Sequence, residues 1–258
     1  MADGFFGQAV DALRRAGAGP LATGEVCVAV FDTRAWAGTG EAAWRDLDPS
    51  ERARAERFRF EADRSAYTLS HVLWRAVLAV CLDRPADGGA RVRLDARPLV
   101  APRLPDDPGC ATSLSRSGPF AAAAVARAGW VGVDIERFPP RQPLEALLEA
   151  VATPAERAAV GAPDDAGPGA RAALRLWTDK EAVLKAWGVG LTLDPRRVDT
   201  LARPVRPFDR PDGACHLHAL VLPGGLVGSL ALPPGAGPVR QILAGPPGAA
   251  PAATICDD

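Results

Sequence analysis

Four things are scarce in this sequence, and each scarcity excludes something. Charge of one sign is the first: 30 Lys and Arg against 31 Asp and Glu leave a formal net charge of -1. No bulk field therefore draws the chain to nucleic acid or to an anionic membrane, and any phosphate site has to be a local cluster. Long apolar runs are the second. None approaches the roughly 20 residues of a membrane span, and the opening MADGFFGQAV is acidic, without the basic start and apolar stretch of a signal peptide. Paired cysteines are the third, because Cys27, Cys81, Cys110, Cys215 and Cys256 are odd in number, scattered and free of any C-x-x-C pair. That argues against a zinc site or a disulfide framework and fits a reducing compartment. The expectation is a cytoplasmic protein with no nucleic acid and no membrane among its partners.

Lysine is the fourth. Only Lys180 and Lys185 are lysine, both within WTDKEAVLK (Trp177 to Lys185). In a chain rich in Arg, Ala, Gly and Pro, biased codon composition turns most positions that need only positive charge into arginine. The two lysines are then either chance survivors or positions that need a compact ammonium group.

What is present is ample core material, 48% apolar residues in 258, enough for one large domain or two ordinary ones. Two capping boxes stand out. Asp48, Pro49 and Glu51 form one and Thr153, Pro154 and Glu156 the other. Each leads to a long helical segment, Asp63 to Leu82 and Ala170 to Trp187. The boxes repeat at an offset of 105 residues, and RAVLA (Arg75 to Ala79) and EAVLK (Glu181 to Lys185) at 106, which suggests two halves with the same order of elements. Glu25 to Phe31 and Ala90 to Leu94 read as strands. Phe120 to Ala126 with Trp130 to Glu136 reads as a hairpin, and Cys215 to Val221 with Leu226 to Leu232 as another. The class is α+β with largely antiparallel sheets. The expected organisation is a half over 1–129, a half over 130–244 and a disordered tail over 245–258.

In GVDIE the strand period of two puts Asp134 and Glu136 on one face. Either they face solvent at a strand end, or they share a hard divalent cation that takes carboxylate oxygens. Trp177, Glu181 and Lys185 are spaced i, i+4, i+8 on one helical stripe. Trp177 is then core or binding surface, and Glu181 with Lys185 is an exposed ion pair or part of a site.

The G-[IV]-D strand with an acidic residue two positions on, followed by a W-x-x-K-E-x-x-x-K helix, resembles the 4'-phosphopantetheinyl transferases of the surfactin (Sfp-like) type. RFRFEADR, ARPLVAPRLP and SLSRSG are shorter supporting pieces. The resemblance implies two pseudo-twofold-related α+β halves with coenzyme A in the cleft between them. It implies Asp134, Glu136 and Glu181 as magnesium ligands, Glu181 and Lys185 as catalytic residues, and Arg64, Arg97, Arg116, Lys180 and Lys185 as coenzyme A contacts. Arg116 stands where the family usually has histidine, and it grips a phosphate without cycling a proton near neutral pH. Ala66 replaces an arginine often found before the first long helix, with Arg64 as the substitute.

The activity implied is transfer of 4'-phosphopantetheine from coenzyme A to a serine of an apo acyl or peptidyl carrier protein, as in polyketide or nonribosomal peptide synthesis. Adenosine 3',5'-bisphosphate would be released, and the enzyme would be a monomer. The alternatives are a coenzyme A or carrier-binding homologue weakened by Arg116, and an unrelated magnesium-dependent phosphohydrolase. Leu144, Leu147, Leu148 and Val151 follow the spacing of one helical face. That face either packs into the core or receives the carrier helix, with Arg141 at its rim.

Overall fold

The computed structural model describes residues 4–85, 92–95, 100–140, 142–164, 166–206, 213–246 and 255–256. The architecture is α+β, with two sheets. At the centre of the first sheet β1 (Val26–Asp32) pairs antiparallel with β3 (Phe120–Ala126). β2 (Ala111–Ser117) lies beyond β3, β7 (Val239–Ala244) runs parallel to β1, and the two-residue β8 (Ile255–Cys256) is outermost. The second sheet is antiparallel, in the order β4 (Gly132–Arg137), β6 (Leu226–Leu232), β5 (His216–Ala219).

Alternation along β1 and β3 builds the layers. Cys27, Ala29, Phe31, Ala121, Ala123 and Val125 pack into a core with α1 (Phe5–Arg15) and α4 (Glu61–Cys81). Val26, Val28, Val30, Ala122, Ala124 and Ala126 pack against Val133, Ile135 and Leu230 of the second sheet. Both faces are covered, so these strands read as unbroken apolar runs rather than as alternation. The other face of the second sheet carries α7 (Pro168–Trp187), whose Ala182, Val183 and Ala186 share a cluster with Ala231. Helix, sheet, sheet and helix thus stack in that order.

Both capping boxes form. Asp48 and Glu51 close the start of α3 (Pro49–Ala55), and Thr153 and Glu156 that of α6 (Pro154–Val160). The long helices start two residues earlier than the sequence pattern places them, at Glu61 and Pro168.

The structure departs from several sequence expectations. β3 and β4 are no hairpin: β3 has both edges taken, by β1 and β2, so the chain after Ala126 crosses to the other sheet. Residues 239–244, assigned by sequence to the second half, return to the first sheet through β7. Ile255–Cys256 in the tail form a short strand on β7. Of the strand expected over Ala90 to Leu94, Ala90 and Arg91 lie outside the described residues and 92–94 form no strand, although Asp95 bridges Arg103. The apolar face of α5 (Leu144–Val151) goes into the core, where Leu144 and Leu148 join Ala170, Ala173 and Leu174. The face proposed for a carrier helix is therefore internal, and Arg141 lies outside the described residues.

Gly132 sets the distance between β4 and α7. A Cβ there would overlap the Ala182 carbonyl and the Ala186 amide, and helix backbone cannot give way as a side-chain tip does. Gly132→Ala is expected to cost about 1–3 kcal/mol or more, read as a lower midpoint in chemical denaturation. A midpoint unchanged from the parent would contradict this packing.

Candidate active site

The period of β4 turns Gly132, Asp134 and Glu136 toward α7, and the α7 stripe of Trp177, Glu181 and Lys185 meets them. Lys185 Nζ donates to Asp134 Oδ1 at 2.6 Å and to the Val133 carbonyl at 3.2 Å. Trp177 Nε1 donates to Glu136 Oε1 at 3.4 Å. Lys185 thus turns to the strand carboxylate rather than to Glu181 one turn before it.

The neighbouring strand β2 holds the same two carboxylates from behind. Ser115 Oγ donates to Asp134 Oδ1 at 2.7 Å, and Ser117 Oγ to Glu136 Oε2 at 2.7 Å. Two oxygens are left over. Asp134 Oδ2 and Glu181 Oε1 are buried and have no hydrogen-bond partner. Burial of an unpaired carboxylate is costly, and its effect shows in the protonation equilibria. Glu181 is pushed up to about 7 by burial and by the charge of Asp134 and Glu136, against the pull of Lys185. Glu136 is also raised, by burial first, with Asp134 adding and Ser117 opposing.

As they stand, no three His, Cys, Asp or Glu side chains among the described residues are gathered tightly enough to hold a metal ion. The donor chemistry nevertheless fits a hard divalent cation, since carboxylate oxygens are what such an ion takes and two of them are buried without a partner.

Glu181 and Lys185 open onto a cleft of about 1040 Å³, at the upper end of small-molecule pockets. Its opposite wall comes from α3, α4 and the turn between them, and includes Arg54, Arg57, Tyr67 and His71. Arg116 joins them from β2, because even-numbered positions of that strand face α4 while the serines face β4. Its guanidinium stands 5.1 Å over the Tyr67 ring, and His71 stacks on Tyr67 at 4.0 Å. His71 Nδ1 lies 3.1 Å from Glu51 Oε1, and burial lowers its pKa.

The structure thus brings together Asp134, Glu136, Glu181 and Lys185, with Arg116 in the cleft that Glu181 and Lys185 line. Other sequence candidates fall elsewhere. Lys180 is fully buried and forms an ion pair with Glu156 Oε2 at 2.8 Å. It also donates to the Pro195 and Val198 carbonyls, at 3.0 and 2.6 Å. Three acceptors meet the three donors of one ammonium group, so none is left over for a phosphate. Arg64 pairs with Glu61 in the first turn of α4 and does not line the cleft. Arg97 lies outside the described residues. Arg54 and Arg57, by contrast, were missed. They line the cleft and, among the described residues, form no ion pair. The signal was the arginine run at 52, 54, 57 and 59, which reads at first only as the way into a helix.

Residues 130–220 match the 4'-phosphopantetheinyl transferase superfamily. The chain is 31% identical over 147 residues, 56% of its length, to the 4'-phosphopantetheinyl transferase HetI of a Nostoc species. It is 32% identical over 156 residues to a phosphopantetheinyl transferase of a Thraustochytrium species. The chain spans 61% and 54% of the lengths of these relatives. The matched block agrees with the resemblance read from the sequence and holds Asp134, Glu136, Glu181 and Lys185.

A carboxyl raised in the folded state keeps a proton that the unfolded chain has already released above about pH 4.3. Folding is then most favoured below that value and is weakened as the pH rises through about 7. For the metal-free protein, thermal denaturation between pH 5 and 8 is expected to show a falling midpoint, and Glu181→Gln is expected to flatten the fall. An equal slope in parent and variant would contradict the assignment.

Proposed function

We propose that this chain is a 4'-phosphopantetheinyl transferase of the surfactin (Sfp-like) type, acting with magnesium on coenzyme A and an apo acyl or peptidyl carrier protein. The observation that carries this reading is the pair of orphaned buried oxygens, Asp134 Oδ2 and Glu181 Oε1, the second on a residue that lines a cleft together with Arg54, Arg57 and Arg116. A further support for two similar halves is that Glu51 pairs with Arg75 and Glu156 with Lys180, each partner 24 residues after its capping-box glutamate. The matching offset is the 105 of the boxes. A cleft built within one chain suits a monomer, and no described helix is long and apolar enough to cross a membrane.

The residues divide the work as follows. Arg54, Arg57 and Arg116 bind the phosphates of coenzyme A along one wall, with Arg116 as a fixed cation braced on Tyr67. Asp134, Glu136 and Glu181 would hold magnesium, which when bound supplies charge neutralisation at the pyrophosphate. Glu181 takes the proton of the carrier serine as its oxygen bonds to the β-phosphorus. The bond to the leaving adenosine 3',5'-bisphosphate breaks, and Lys185 offsets the negative charge that leaves with it. Alignment and charge are most of what such a transfer asks of a protein.

Transfer of label from coenzyme A to apo carrier protein tests the reading. Magnesium-dependent labelling is expected, with a loss of about 100-fold or more in Asp134→Ala and in Glu181→Ala. Coenzyme A binding without any labelling would support a binding homologue instead, and near-normal turnover in Asp134→Ala would remove the carboxylate cluster from the chemistry.

A further inference from the structure

β4 is the edge strand of its sheet, paired with β6 on one side only. Its outward amides at Val133, Ile135 and Arg137 would ordinarily meet the carbonyls of another strand. They meet hydroxyls instead: Val133 N donates to Ser113 Oγ at 3.1 Å, Ile135 N to Ser115 Oγ at 3.2 Å and Arg137 N to Ser117 Oγ at 3.1 Å. Two of the three rungs do more. Having accepted from an amide of β4, Ser115 and Ser117 each donate to the carboxylate of the preceding residue, Asp134 and Glu136.

We propose that Ser115 and Ser117 are positioning residues that select which oxygen of Asp134 and Glu136 is offered to a cation. The inference rests on reading that cluster as a magnesium site. On Asp134, Ser115 and Lys185 both bind Oδ1, and Oδ2 is the oxygen left without a partner. On Glu136, Ser117 binds Oε2 closely and Oε1 has only the long 3.4 Å contact from Trp177. A hydroxyl suits this position because it accepts and donates at once. The accepted amide fixes the oxygen and the donated proton fixes the carboxylate, so the carboxylate is tied to the backbone of its own strand by way of the next one. Outer partners of this kind orient carboxylate ligands.

Ser113 supplies the internal control, since it accepts the same kind of amide bond and, among the described residues, donates to no carboxylate. The test is titration of Mn2+ into the coenzyme A-free protein, followed by electron paramagnetic resonance, with thermal denaturation alongside. Ser115→Ala and Ser117→Ala are expected to weaken Mn2+ binding about 10-fold or more. Ser113→Ala is expected to lower the melting temperature comparably while leaving Mn2+ affinity within about twofold of the parent. Ser117→Thr, which keeps the hydroxyl, is expected to restore affinity and serves if the alanine variants do not fold. Parent-like Mn2+ binding in the Ser115 and Ser117 alanine variants overturns the proposal and leaves the functional reading standing. Equal weakening in all three alanine variants also overturns it, in favour of a purely structural ladder. No Mn2+ binding by the parent overturns both. The expected pattern in a parent that transfers no label sustains the positioning role and removes the transferase reading.

Discussion

The seam between β2 and β4 is the contact on which the rest of the cluster depends. Two sheets that share an apolar interface slide unless something fixes their register, because burial of alanine and valine is nearly indifferent to small shifts. Three serine hydroxyls at period two, each bonded to an alternate amide of β4, remove that freedom. The same register turns Leu114 and Arg116 to the opposite face, so one strand serves both the carboxylates and the cleft wall. On the other side of β4, Gly132 lets α7 close to backbone contact, and only at that distance does Lys185 reach Asp134. Serines, glycine and lysine are therefore one arrangement, in which two strands and a helix crowd carboxylates that would otherwise repel one another apart.

The two lysines do different things at neighbouring turns of one helix. Lys185 stands at the cleft and balances Asp134. Lys180 points the other way, into a fully buried slot where Glu156 accepts from Thr153 N, Lys180 and Thr200 as well. Removing one partner of such a buried pair typically costs about 3–5 kcal/mol. The broader arginine fork has no place in a cavity with three acceptors around one nitrogen, which is a sufficient reason for lysine here. Arg75 holds the corresponding place opposite Glu51, where Asp48 and His71 widen the site. The pair of cap and long helix thus recurs with either cation.

Much of this was legible in the sequence, and what was not has definite causes. Cap chemistry is local, so Asp48 with Glu51 and Thr153 with Glu156 announce their helices. The stripe of Trp177, Glu181 and Lys185 and the alternation of Asp134 and Glu136 follow from periods alone. Strand partnership is not local. The order of β3 and β4 along the chain resembles a hairpin, and only the occupation of both β3 edges forbids it. The return of β7 to β1 depends on contacts more than 200 residues apart. Burial is what separated Lys180 from Lys185 and sent Leu148 into the core, and no motif carries that information. The serines at 113, 115 and 117 were visible as alternation, but their meaning required the neighbouring edge strand.

The central claim is that this seam leaves two carboxylate oxygens free to share a cation. Anomalous diffraction from crystals of the protein grown with Mn2+ tests it most directly. The account predicts an anomalous peak bonded to Asp134 Oδ2 and to the Glu181 carboxylate, with the Ser115 hydroxyl still on Asp134 Oδ1. A peak elsewhere, or none with both oxygens paired to protein donors, would contradict it.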